Sequence, residues 1–157
     1  MKDIIQRGLY FEDLDIDVVY RHSPGRTVEA YDNTLFSTMT MNPQSLHLNA
    51  HAAEDTQFGQ RLVNSMFTLS TLIGLSVGQL TQQTTVANLG FEHVAFPKPV
   101  FAGDTLYAET TVVGKRESKS RPDVGIVTFL HIARNQHGDN VAEARRNAMM
   151  HRRPAAR

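Results

Sequence analysis

The densest cluster of polar side chains able to do chemistry is Asn42, Gln44, Ser45, His47, Asn49 and His51, shortly before Asn64 and Ser65, where a long apolar run is under way. Histidine titrates near pH 6.5 when unperturbed and is the side chain best suited to moving protons near neutrality. A helix N-terminus offers unpaired backbone N–H groups and a positive dipole end, which suits a developing oxyanion. Together these features describe an acid/base site acting on a carbonyl compound. Spacing alone leaves another reading open, in which a loop histidine is a surface or hydrogen-bonded structural residue. His47 and His51 have the i, i+4 spacing of two metal ligands, but the glutamate of H-E-x-x-H is missing and the preceding loop argues against a continuous helix, so no metal is expected. Phosphate-loop and dinucleotide signatures are absent from the chain.

The element that must position this cluster is Leu62–Val77, read as a helix apolar on most of its circumference. It lies in a span without Asp, Glu, Lys, Arg or His between Arg61 and Glu92, and is too short and hydroxyl-rich to cross a bilayer. A helix apolar nearly all round has to be wrapped. The segments Gln82–Leu89, Glu92–Phe96, Asp104–Lys115, Gly125–Asn135 and Asn140–Met150 read as strands separated by Gly and Pro signals, with a turn at Gln136–Asp139. Before the central helix, Tyr31, Leu35, Phe36 and Met39 recur at helical spacing within 29–41, Asn42-Pro43 stops that helix, and Ala50–Glu54 forms one further turn. Residues 1–24 read as partly irregular and 152–157 as a frayed tail. The expectation is one α+β domain over residues 1–157, with an antiparallel sheet round a long central helix.

With 157 residues, sixteen basic and sixteen acidic side chains and no cysteine, the chain has no global field for nucleic acid or an anionic membrane, no disulfide scaffold and no thiolate chemistry. The partner expected is a small molecule or a second copy. The segment MKDIIQRGLYFEDLD has no secretory h-region, so a cytoplasmic protein is expected.

The run Met41–Met66 resembles the motif D-x-N-P-x-H-x-D and following small residue of MaoC-like (R)-specific enoyl-CoA hydratases, and FPKPVFAGDTL at 96–106 resembles that family's strand-turn-strand. The resemblance extends from about Gly25 to Met150. It implies a hot-dog fold, usually dimeric, with an acyl-CoA tunnel between subunits and no cofactor beyond the CoA of the substrate. His47 matches the family's catalytic histidine, and Ser65 the small residue whose N–H binds the thioester oxygen. Asn42 stands where the family has a catalytic aspartate, and an amide orients water without taking its proton. Either His47 then serves alone as base and acid, or a carboxylate such as Asp32 or Asp55 substitutes, or hydration is lost.

The phrases NPQSLHLNAHAA, LVNSMF and KRESKSRP resemble the branch of mesaconyl-CoA hydratase, also called methylmalyl-CoA dehydratase, and of itaconyl-CoA hydratase. That implies a short branched C5 dicarboxylic acyl-CoA. Lys119 and Arg121, in the basic run 115–121, are then candidates for the CoA phosphates, and Arg26 and Arg61 for the distal carboxylate. Each arginine could equally be a surface or ion-paired residue. Asn64 is a candidate for substrate contact or a helix cap, and Met66, Phe67, Leu69 and Leu72 are core, or pocket walls if a tunnel passes them. Thioester hydrolysis and a non-catalytic acyl-CoA-binding module are the other readings.

Overall fold

The computed structural model describes residues 3–154. A 3-10 turn at Phe11–Asp13 is followed by β1 (Val19–Arg21), β2 (Arg26–Thr27), α1 (Ala30–Met39), α2 (Ser45–Leu48), α3 (Ala50–Glu54), α4 (Ser65–Leu80), β3 (Thr85–Ala95), β4 (Thr105–Glu117), β5 (Val124–Arg134) and β6 (Asn140–His151). The strands form an antiparallel six-stranded sheet in the order β1-β4-β5-β6-β3, with β2 also paired to β4. Helix α4 packs on β4, β5 and β6, and the short helices gather at its N-terminal end. No helix of the described residues is long and apolar enough to cross a membrane.

The central helix begins three residues later than its apolar run. Leu62 and Val63 are apolar but extended, their N–H groups donating to the Leu46 and Val100 carbonyls, and the Asn64 side chain caps the helix by accepting from Met66 N at 3.0 Å. Nor is α4 enclosed by this single chain, because Met66, Ser70, Gly74 and Gly78 leave one stripe of it exposed. The two expected strands around Leu89 and Glu92 are one strand, β3, because register shifts and Gly90 at φ 124° absorb the break as a bulge.

Helix α1 has its expected place, but of its four apolar residues at helical spacing only Phe36 packs inward, edge-on to Phe67 at 5.7 Å. Tyr31, Leu35 and Met39 are exposed, while Asp32, Asn33 and Ser37 are buried. The buried groups are satisfied: Asp32 caps Glu29 N at 2.9 Å and pairs with Arg26 at 2.5 Å, and Ser37 accepts from the Asn64 amide at 3.3 Å.

The expected tail is tied down as far as it is described. Arg152 pairs with Glu12 at 2.9 Å and Glu117 at 3.1 Å, and Arg153 pairs with Asp13 and donates its N–H to Glu12; residues 155–157 lie outside the described residues. At the other end Phe11 lies flat on Gly125, where a Cβ would stand 2.2 Å from the ring, so only glycine fits.

The core falls into two apolar clusters. One contains Val63, Phe67, Leu72, Val100, Leu106 and Ala108; the other contains Phe11, Leu14, Leu80, Val112, Val127 and Phe129. On each central strand a polar residue sits at the inward position where the clusters meet: Thr110 between Ala108 and Val112, His131 between Phe129 and Ala133, Arg146 between Ala144 and Ala148. These three, with His22 and Gln79 of α4, form one hydrogen-bonded chain. Arg146 Nε donates to His131 Nε2 at 2.9 Å, which leaves His131 Nδ1 to donate to Thr110 at 2.7 Å. Thr110 in turn donates to His22 Nε2 at 2.8 Å, and His22 Nδ1 donates to Gln79 Oε1 at 2.7 Å. One set of neutral tautomers satisfies every link.

Burial holds both imidazoles below their ordinary range, His131 well below it with help from the Arg146 charge and then His22; for His22 the bond to Gln79 opposes the effect. The unfolded chain therefore binds more protons than the folded one below pH about 6.5. Stability is fully present above that pH and falls on acidification, by up to about 1.4 kcal/mol per pH unit for each histidine, until the folded groups protonate at their own lower values. Urea midpoints should drop between about pH 7 and 5. A shallower drop in His22→Gln and in His131→Gln protein would assign it to this chain; an undiminished drop in both would remove the assignment.

Candidate active site

His47 reaches its position because Asn42 starts a tight turn after α1. Its N–H donates to the Ser37 carbonyl, and its Oδ1 accepts from Gln44 N at 3.1 Å. The chain then enters α2, which carries His47 on its inner side, 9% exposed. The helical turn replaces the loop expected there.

The His47 ring has one fixed side. Nδ1 lies 2.8 Å from the Leu62 carbonyl oxygen, an acceptor only, so Nδ1 carries the proton and Nε2 presents a lone pair. Nε2 has no hydrogen-bond partner among the described residues and is not among the buried unpaired atoms, so it is open to a small molecule. The Leu62 carbonyl also accepts from Asn33 Nδ2 at 3.0 Å, and the same amide donates to the His47 carbonyl at 3.1 Å and accepts from Asn64 N at 2.9 Å.

Ser65 is the first residue of α4. The Asn64 cap serves Met66 N, and the N–H of Ser65 finds no acceptor among the described residues. That free donor adds to the positive end of a sixteen-residue helix. Beside it opens a cleft of about 260 Å³ walled by Phe58, Leu62, Ser65, Thr68, Phe96 and Lys98. Leu62 contributes to this wall and to the His47 contact. The volume is below the roughly 300–1,000 Å³ of drug-sized pockets.

Asn33 and the Leu62 carbonyl link His47 to the Asn64 cap that precedes Ser65, with Asn42 opening the turn that delivers His47; of these residues Ser65 lines the cleft and His47 does not. Asn64 is the helix cap. Arg61 stands next to Leu62 and reaches Thr34 at 3.4 Å. Arg26 is engaged by Asp32 and stacks over Phe67 at 5.4 Å. Asp32, with one oxygen on Arg26 and the other on Glu29 N, has no bond to His47, and Asp55 is exposed after α3. Phe67 and Leu72 are buried core, while Met66 is 47% exposed.

Lys119 and Arg121 are not brought to the site within one chain. They lie on the β4–β5 hairpin, near the C-terminal end of α4, where Phe11 meets Gly125 and Leu9 N bonds to the Leu80 carbonyl. Arg121 is held by Asp123 at 2.6 Å. Among the described residues no group of three His, Asp or Glu is arranged to hold a metal.

Sequence reasoning missed Asn33, Thr68 and Lys98. Asn33 had a legible signal, a polar residue beside Asp32 on the helix face that also carries Ser37.

The model of the MaoC like domain matches residues 13–135. Mesaconyl-CoA hydratase of Haloarcula marismortui is 31% identical over 156 residues, 98% of this chain and 43% of that protein, so the chain spans less than half the length of the curated relatives it matches. The solved MaoC-like dehydratase from Rhodospirillum rubrum superposes with a TM-score of 0.83 at 32% identity, covering 94% of this chain and 99% of that one. A Mycobacterium tuberculosis protein described as a double hotdog fold superposes at 0.84 with 26% identity, over 96% of this chain and 46% of the other. The sheet packed on α4 is thus a single hot-dog unit, and the match over 13–135, spanning α1, His47, α4 and strands β1 to β5, places this chain in the MaoC-like domain family.

Proposed function

We propose that this chain is an enoyl-CoA hydratase, working reversibly as a dehydratase, on a short, branched C5 dicarboxylic acyl-CoA of the mesaconyl or itaconyl kind. The observation that carries the reading is the His47 ring, its Nδ1 proton fixed on the Leu62 carbonyl and its Nε2 lone pair open, in one cluster with the unbonded N–H of Ser65. The similarity to a mesaconyl-CoA hydratase supports the acyl class.

Water adds in two movements. Nε2 takes a proton from water as its oxygen bonds to the β-carbon, and the double-bond electrons pass to the thioester oxygen, held by the N–H of Ser65. A single donor of this type contributes about 2.7–4 kcal/mol to the barrier. The imidazolium then returns its proton to the α-carbon, so water is added and nothing else is consumed. The Asn42 Oδ1 is already bonded to Gln44, which leaves its Nδ2 to donate to the water oxygen and turn a water proton toward His47. CoA enters as part of the substrate, and no other cofactor takes part.

Two copies make the working unit in this reading. Edge strand β3 exposes Leu89 and Phe91, and α4 exposes Met66 and the small residues after it. An unpaired edge favours pairing with a second copy. The greater length of the mesaconyl-CoA hydratase relative and the double hot-dog fold described for the Mycobacterium tuberculosis protein fit a pair of such units. Lys119 and Arg121 then serve the CoA phosphates across the pair, and Arg61, next to Leu62 of the cleft wall, is the candidate for the distal carboxylate.

A panel of crotonyl-, mesaconyl- and itaconyl-CoA, followed by mass spectrometry, tests the proposal. A gain of one water on a C5 dicarboxylic member, abolished by His47→Ala, is the expected outcome. Saturable binding without water addition would instead make this an acyl-CoA-binding module, the reading Asn42 favours, and release of free CoA would make it a thioesterase.

A further inference from the structure

We infer that Asn33 is the positioning residue that sets the His47 imidazole against the N–H of Ser65. The inference rests on water addition occurring at His47, as proposed above. Asn33 is 3% exposed on the inward polar face of α1 and spends its amide entirely on backbone. Its Nδ2 donates to the carbonyls of His47 and Leu62, and its Oδ1 accepts the N–H of Asn64. Those three points belong to two separate pieces of chain: α2, and the extended segment from Leu62 to the Asn64 cap of α4.

Each bond has a consequence for the site. The Leu62 carbonyl is the acceptor that keeps the proton on His47 Nδ1, and Asn33 holds that carbonyl from a second direction. The bond to the His47 carbonyl fixes the main chain carrying the ring. The bond from Asn64 N fixes the residue next to Ser65, so the base and the oxyanion donor are referred to one rigid amide. Only a carboxamide of this length supplies two N–H donors and an acceptor in one plane; aspartate lacks the donors and leucine lacks all three groups. Sites of this kind tolerate errors of about 0.5 Å, and a displacement near 1 Å costs about 10²-fold in rate.

The test compares wild type with Asn33→Ala by steady-state kinetics and by ¹⁵N NMR of the His47 ring, assigned with His47→Gln. Expected are a single Nδ1-protonated neutral tautomer in wild type, a mixed tautomer in the variant, and a kcat lower by about 10–100-fold with KM within about threefold. If the alanine variant does not fold, Asn33→Gln, which keeps the amide one methylene away, gives the same tautomer loss and kcat drop. A folded variant that retains the single tautomer overturns the inference, whether or not kcat falls, and so does one that retains wild-type kcat. Should wild type add water to no enoyl-CoA, the hydratase reading fails by itself, and the ring spectra still decide whether Asn33 orients His47.

Discussion

Replacing His47 with alanine lowers kcat for water addition by about 10²–10⁴-fold, a rise of roughly 3–5 kcal/mol in barrier. The loss has a chemical origin because little else changes. The ring is at the edge of the core, and the Leu62 carbonyl it leaves behind keeps its bond to Asn33, so no buried acceptor is orphaned. Circular dichroism and the melting temperature should therefore stay near wild type while product mass falls away. Near-full hydration by folded His47→Ala protein would move the base elsewhere. Neither Asp32, committed to Arg26 and Glu29, nor exposed Asp55 is bonded to that position in this chain.

Phe129→Ala has the largest expected effect on stability. The ring is fully buried and among the largest such side chains, and it supports the Arg146 guanidinium at 5.5 Å and the His131 ring at 5.6 Å. Truncating a buried phenylalanine costs about 3–5 kcal/mol through lost transfer energy and the cavity left behind. For a chain of this size that lowers the melting temperature by about 6–20 °C. Arg146 adds to the cost, since its charge is buried without a carboxylate and rests on this aromatic face. Differential scanning calorimetry reads the effect directly. A shift under about 2 °C would mean that the polar chain and its apolar flanks do not share one cooperative core.

The strands, their turns and the central helix were legible because period-two and period-3.6 patterns survive in the sequence. Their limits were less so. Apolarity runs unbroken through Leu62 and Val63, and only the cap geometry of Asn64 shows that the helix starts at Ser65. Helix α1 had the right period and, apart from Phe36, the wrong face, because a sequence pattern cannot show that Asp32, Asn33 and Ser37 would find partners on β2, α2 and the cap of α4. His47 and Ser65 were singled out from one stretch of sequence, whereas nothing in the sequence placed Asn33, fourteen residues before His47 and on another helix, beside them. Lys119 and Arg121 were chosen because their charge suits the CoA phosphates, and charge says nothing about which end of α4 the β4–β5 hairpin occupies. Arg146 had a signal in the phase of Ala142, Ala144, Ala148 and Met150, yet Arg145 beside it made the inward choice ambiguous.

The polar chain through the core also determines how the strands can pair. Sliding a strand by one residue turns its apolar face to water, but sliding it by two returns every side chain to its own face, so apolar alternation alone does not forbid it. Here a two-residue slip of β6 would put Arg146 at the place of Ala144 or Ala148, remove the acceptor from its Nε, and leave His131 facing a methyl group. Each buried group so orphaned costs about 1–3 kcal/mol. A core built mostly of interchangeable alanines and valines thereby acquires a single permitted alignment, and with it a fixed placement of α4, whose first residue carries the free N–H, over the sheet.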